Sequence, residues 1–126
     1  MSVNKNFNRE VKEIRNTDWH TFPDPESDEK AVDNRNLREA GFKVKDSHDA
    51  EIETVVLEGI EREDAEHGWV TVHAVDDISD LLRDDDDIFE LRTTSQNSRL
   101  RLKIRYKESP TEGEIDVKAV RGVTYN

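Results

Sequence analysis

The chain has 126 residues, 30 acidic and 19 basic side chains, a formal net charge of -11 and a hydrophobic share of 33%. That length fits one two-layer domain and is too short for a large α/β enzyme. Cysteine is absent, which excludes disulfides, thiolate zinc sites and cysteine nucleophiles, and no apolar run approaches the roughly 20 residues a membrane helix needs. Residues 1–36 read as an N-terminal arm, separate from a 37–126 domain. Residues 1–10 lack an apolar stretch, so no signal peptide is expected. Val11 and Ile14 have the spacing of one face of a short helical turn. Trp19 and Phe22 precede Pro23-Asp24-Pro25, which no helix continues. Phe7, Trp19 and Phe22 are costly to leave in water, so the arm is expected to dock on a neighbour or back on its own domain.

From Leu37 the pattern changes to period two. Phe42 and Val44 alternate with Lys43 and Lys45. Residues 51–58 supply Ile52, Val55, Val56 and Leu57, and residues 69–75 form a β-rich run. Ile78, Leu81 and Leu82 fit one helical turn, and 88–94 a further strand. The clearest strand is 99–107: Leu100, Leu102, Ile104 and Tyr106 face one way, and Arg99, Arg101, Lys103, Arg105 and Lys107 the other. The turn-rich residues 109–113 and the alternation of Ile115, Val117 and Ala119 predict a hairpin with that strand. Short strands between turns indicate an all-β antiparallel sandwich. Its core is predicted from Phe42, Val44, Val55, Leu57, Trp69, Leu100, Leu102, Ile104, Ile115 and Val117.

Charge is unevenly placed. Residues 1–45 are neutral overall, 46–98 carry three bases against seventeen acids, and 99–126 carry seven bases against four acids. The acidic and basic blocks can neutralise each other within the fold or between subunits. Asp and Glu number 15 each, and arginine (11) exceeds lysine (8). Such a balance matches adaptation to high salt, where repulsion between carboxylates is screened within about 3 Å at 1 M.

Little in the sequence points to catalysis. Asp84, Asp85, Asp86 and Asp87 form an acidic run that reads as a solvated turn. Calcium or another cation there is the alternative, although the loop lacks the glycine and glutamate of an EF-hand. No cofactor is expected. His20, His48, His67 and His73 show no metal-ligand spacing. No nucleophile elbow and no glycine-rich phosphate loop occurs, so an enzyme is not expected. The basic face of 99–107 is the one coherent polar feature. The overall acidity and the lack of interleaved aromatics argue against nucleic acid, and arginines set opposite carboxylates are expected instead.

Five blocks in order carry a resemblance. They are Arg38-Glu39-Ala40-Gly41-Phe42-Lys43-Val44, Val55-Val56-Leu57-Glu58-Gly59, Gly68-Trp69-Val70-Thr71-Val72, Leu100-Arg101-Leu102-Lys103-Ile104, and residues 110–117 with Gly113 before the last strand. Together they resemble the galactose-binding-like (discoidin-type) β-sandwich, over about two-thirds of the chain. The resemblance implies a jelly-roll sandwich, and no binding residue is carried over from it. An acidic sandwich with an arm also resembles structural proteins of tailed viruses infecting haloarchaea, such as capsid decoration, turret or tail components. That likeness implies an assembly subunit found in the virion, and in the host cytoplasm while particles form. Its partners would be its own copies and other virion proteins, with no membrane. Phe7, Trp19, Phe22, Arg99, Arg101, Lys103 and Arg105 would carry the contacts. A carbohydrate-binding module with a glycan ligand, and a host scaffolding protein, are the alternatives.

Overall fold

The structure is a computed structural model that describes residues 5–6, 8–24, 29–30, 32–33, 40–60, 68–76, 78, 88–93 and 99–121. Among the described residues eleven strands run in chain order: β1 (Lys5–Asn6), β2 (Arg9–Lys12), β3 (His20–Phe22), β4 (Glu29–Lys30), β5 (Val32–Asp33), β6 (Ala40–Asp46), β7 (Ile52–Ile60), β8 (Val70–Val75), β9 (Ile88–Thr93), β10 (Arg99–Tyr106) and β11 (Ile115–Arg121). Strands β1 and β4 form a two-residue parallel ladder. The remaining strands make two antiparallel sheets. The first has the order β3-β10-β7-β8, with β5 extending the β3 edge of β10. The second has the order β2-β11-β6-β9. Chain neighbours mostly lie in different sheets, and β7 and β8 are the consecutive pair that share a ladder.

Period-two alternation explains which side chains meet between the sheets. Strand β10 buries Leu100, Leu102, Ile104 and Tyr106, as its pattern predicts. Facing them are Phe42 and Val44 of β6, Phe89 and Leu91 of β9, and Ile115 and Val117 of β11, with Val55 and Leu57 beside them on β7. Ile14 and Phe22 belong to the same core. The stretch 9–22 of the expected arm is therefore built into the sandwich: β2 is an edge strand of the second sheet and β3 lies at an edge of the first. Val11 and Ile14 do not share a helical turn. Val11 points outward from β2, while Ile14 turns inward just past its end. The turn expected around Ile78, Leu81 and Leu82 lies mostly outside the described residues, although Ile78 packs on the core.

Two further expectations are overturned. Strands β10 and β11 do not form a hairpin. Strand β10 pairs with β7 and β3, and β11 with β6 and β2, so 107–114 crosses from one sheet to the other. Alternation assigns a strand's inner face but says nothing about which strand lies beside it. Trp69 is not a core residue. It sits at the entrance to β8, half-buried, with the Arg101 guanidinium 4.3 Å from its ring centroid.

Three devices hold the sandwich together, two between its layers and one within a sheet. Lys12, on β2, bridges the sheets: its Nζ lies 3.1 Å from Asp24, 3.6 Å from Glu10 and 4.6 Å from the centre of the Phe22 ring, and donates to the Thr21 carbonyl. Burial pushes the neighbouring Glu10 carboxyl up. At Gly41 the absent side chain admits the β9 backbone. A Cβ there would collide with the Leu91 carbonyl oxygen and stand 2.7 Å from Arg92 Cα.

The third device joins 47–51 to 107–114 at one end of the sandwich. Ser47 exchanges hydrogen bonds with Glu114, Lys107 N donates to Glu51 O, and Asp49 accepts from the Thr111 amide and hydroxyl and from the Glu112 amide. Gly113, at φ 96°, fits a space where a Cβ would stand 2.6 Å from His48 Cα. The Thr111 hydroxyl and amide hold the Asp49 carboxyl down to about 2. Because that value lies below the unfolded one, this contribution is complete above about pH 4 and fades as pH falls towards 2. Asp49→Asn should therefore lower the melting temperature at pH 7 and bring the two curves together near pH 2. A constant gap across that window would show that the charge plays no part.

Candidate interaction face

The outer face of the first sheet gathers most of the predicted contact residues. Because Leu100, Leu102 and Ile104 point inward, the intervening Arg99, Arg101, Lys103 and Arg105 must point outward in one row. The adjacent strand β7 sets carboxylates against that row. Arg101 Nε lies 2.7 Å from Glu58 and Arg105 Nη2 3.4 Å from Glu53, with Lys107 Nζ 3.1 Å from Glu51 past the strand end. The expected lattice of bases opposite carboxylates is thus present within a single sheet. These are partly exposed pairs, each worth about 0–1 kcal/mol.

Two tryptophans flank the row. Trp19 precedes β3, which pairs with β10 from Leu102 to Ile104, so it lies beside the middle of the row. The Lys103 ammonium stands 5.1 Å and the Arg105 guanidinium 4.6 Å from its ring centroid. Trp69 reaches the row across β7 and covers Arg101. Arg105 Nε is buried without a hydrogen-bond partner among the described residues, so this guanidinium is held by the indole together with the contact of its Nη2 to Glu53. Trp19 remains 38% exposed. Sequence reading found no aromatics among these bases, because both come from distant segments. The pairings β3–β10 and β7–β8 bring them in.

Other predicted residues lie elsewhere. Phe22 is fully buried in the chain's own core and cannot offer its ring to a neighbour. Phe7 and Asp84–Asp87 fall outside the described residues. Among the described residues no cluster of histidines and carboxylates is arranged to hold a metal ion, and no helix is long and apolar enough to cross a membrane.

One polar network escaped the sequence reading. The imidazole of His48, its side chain fully buried, lies between Asp46 and Tyr106. The Ile14 amide donates to His48 Nε2 at 3.0 Å. That nitrogen must then carry a lone pair, so the ring is neutral with its proton on Nδ1. Nδ1 is 2.7 Å from Asp46 Oδ1, and the Tyr106 hydroxyl donates to the same oxygen at 3.0 Å. The His48 amide also donates to it. Burial raises the Asp46 carboxyl, while these donors pull it back. Burial and the neighbouring Asp46 push the Tyr106 phenol far up, which keeps it a donor. The network ties the end of β2 to β6 and β10. Its signal in the sequence was only that His48 lies two residues from Asp46.

Comparison with known protein families, curated proteins and solved structures finds no match to the chain.

Proposed function

We propose that this protein is a structural subunit that works by protein–protein assembly, in the virion of a tailed virus as a capsid decoration, turret or tail component. The observation that carries the assembly reading is the outer face of the first sheet, where Trp19 and Trp69 bracket a row of bases. Tryptophan and arginine are the residue types that dominate binding energy at protein interfaces. Three of the bases are answered by Glu51, Glu53 and Glu58. The face is therefore mixed in sign, which suits a protein partner better than a polyphosphate.

The winding of the chain supports the virion setting. Taking β2, β3, β6, β7, β8, β9, β10 and β11 as eight strands, the first pairs with the eighth, the second with the seventh, the third with the sixth and the fourth with the fifth. We read this order as that of a jelly roll, an architecture of viral capsid and lectin domains. It also fits the galactose-binding-like resemblance.

Light scattering in molar KCl and at low salt tests the reading. The expected result is an oligomer in high salt that Trp19→Ala converts to a monomer that is still folded, as a cooperative thermal melt would show. A wild-type monomer in both salts that also fails to bind other virion proteins would overturn it. Tryptophan fluorescence that responds to one member of a glycan panel would instead favour the lectin-like use of the fold. Deleting residues 1–30 does not make this test, because it removes Ile14 and Phe22 from the core.

A further inference from the structure

The opposite face of the sandwich carries a different kind of surface. On the second sheet, Lys118 of β11 is the register partner of Lys43 on β6 and of Arg9 on β2. Three cations therefore lie side by side across three strands. Lys45 follows two residues along β6 on the same exposed face. Two carboxylates share the outer face of these strands: Asp116 is the register partner of Lys45 and Glu90 that of Lys43, and each also meets an arginine. Asp116 takes a bidentate pair from Arg9, at 2.9 and 2.7 Å, and Glu90 lies 3.0 Å from Arg92. Among the described residues, the ammonium groups of Lys43, Lys45 and Lys118 make no hydrogen bond or ion pair.

Like charges directly opposite each other destabilise a strand pair. In a chain with 30 acidic side chains and only 8 lysines, this face sets Arg9, Lys43, Lys45, Arg92 and Lys118 against Asp116 and Glu90, and the adjacent Lys43, Lys118 and Arg9 repel one another in the free protein. Partner binding would offset that cost. We infer that this face is a second docking surface, which takes an acidic, aliphatic-bearing segment of a partner protein laid across β11 and β6. Complementary charge selects the carboxylates. Val11, 44% exposed, with the half-buried Ile88 and Val120, supplies apolar ground for the aliphatic side chains. A nucleic acid fits less well. No aromatic ring stands on this face among the described residues, so bases have nothing to stack on. The surface is independent of the tryptophan-flanked face, and either can fail without the other.

The test is an amide-resolved NMR titration of the full chain at the lowest salt in which it stays folded. The probes are a short synthetic peptide alternating aspartate and leucine, and an oligothymidine. The peptide is expected to shift the amides around Lys43, Lys45 and Lys118. The double variant Lys43→Gln, Lys118→Gln should lose at least tenfold in affinity while melting about 2 °C higher, because the opposed charges are gone. That combination separates a binding patch from a structural one. Peptide shifts that persist unchanged in the variant, no shifts at all, or tighter binding of oligothymidine to the same amides would each overturn the proposal.

Discussion

Gly41→Ala is expected to destabilise the fold by about 3 kcal/mol or more, enough to leave much of a small domain unfolded at room temperature. The argument is steric. Gly41 lies in β6, a central strand of the second sheet, and pairs with Arg92 of β9 and Val120 of β11. A methyl group there would meet the Leu91 carbonyl and the Arg92 Cα, both main-chain atoms of a paired strand. A flexible side chain could swing away from such a group; a hydrogen-bonded strand cannot, so β9 must separate from β6. Phe89 and Leu91, which β9 buries in the core, would move with it. Gly68 provides the control. Its φ of 63° penalises alanine, but no atom lies within 4 Å of the added carbon, so Gly68→Ala should cost only about 1–2 kcal/mol. Denaturant melts of the two variants check this. If both lie within about 0.5 kcal/mol of each other, close approach of β9 is not what Gly41 provides.

The contrast between these glycines shows what the sequence conveyed about the fold. The block containing Gly41 was legible as a strand, because Phe42 and Val44 alternate with lysines. That another backbone lies against Gly41 was not legible, since β9 is some fifty residues away along the chain. The same division holds elsewhere. Alternation in 99–107 identified both faces of β10 correctly, and the β-rich runs at 51–58 and 69–75 became β7 and β8. Partner choice was lost, because a period of two fixes a face and not a neighbour. Hence β10 and β11, adjacent in sequence, lie in different sheets. Trp69, at the start of the β-rich run 69–75, reads as core in the sequence. Its amphipathic ring instead covers Arg101 on the outer face, while Phe22, expected to dock on a neighbour or back on its own domain, does the second. The candidate face was half legible: the basic row was visible in the sequence, and the tryptophans that flank it became visible only through pairing.

Asp46→Ala should cost about 3 kcal/mol or more, and the way it does so distinguishes a buried network from a surface contact. Removing the carboxylate leaves the His48 amide and the Tyr106 hydroxyl without their acceptor, and leaves His48 Nδ1–H with only the Tyr106 oxygen, 2.9 Å away. An unmet buried donor costs about 1–3 kcal/mol. The imidazole cannot compensate by rotating, because Nε2 is already committed to the Ile14 amide, and the edge of its ring packs against Tyr106 with centroids 5.0 Å apart. Asp46→Asn keeps a carbonyl acceptor at the same place and should cost less than half as much. The pH dependence supplies an independent check. Burial raises the Asp46 carboxyl above its unfolded value, so the folded state holds this proton more tightly. The resulting contribution is fully present below about pH 4 and is lost as pH rises through the folded value. Wild type should therefore lose stability relative to Asp46→Asn as pH climbs out of the acid range, the opposite slope to the one Asp49 produces against its own asparagine variant. Parallel pH–stability curves for wild type and Asp46→Asn would mean that the carboxylate is solvated, and the buried network would then contribute packing rather than hydrogen bonds.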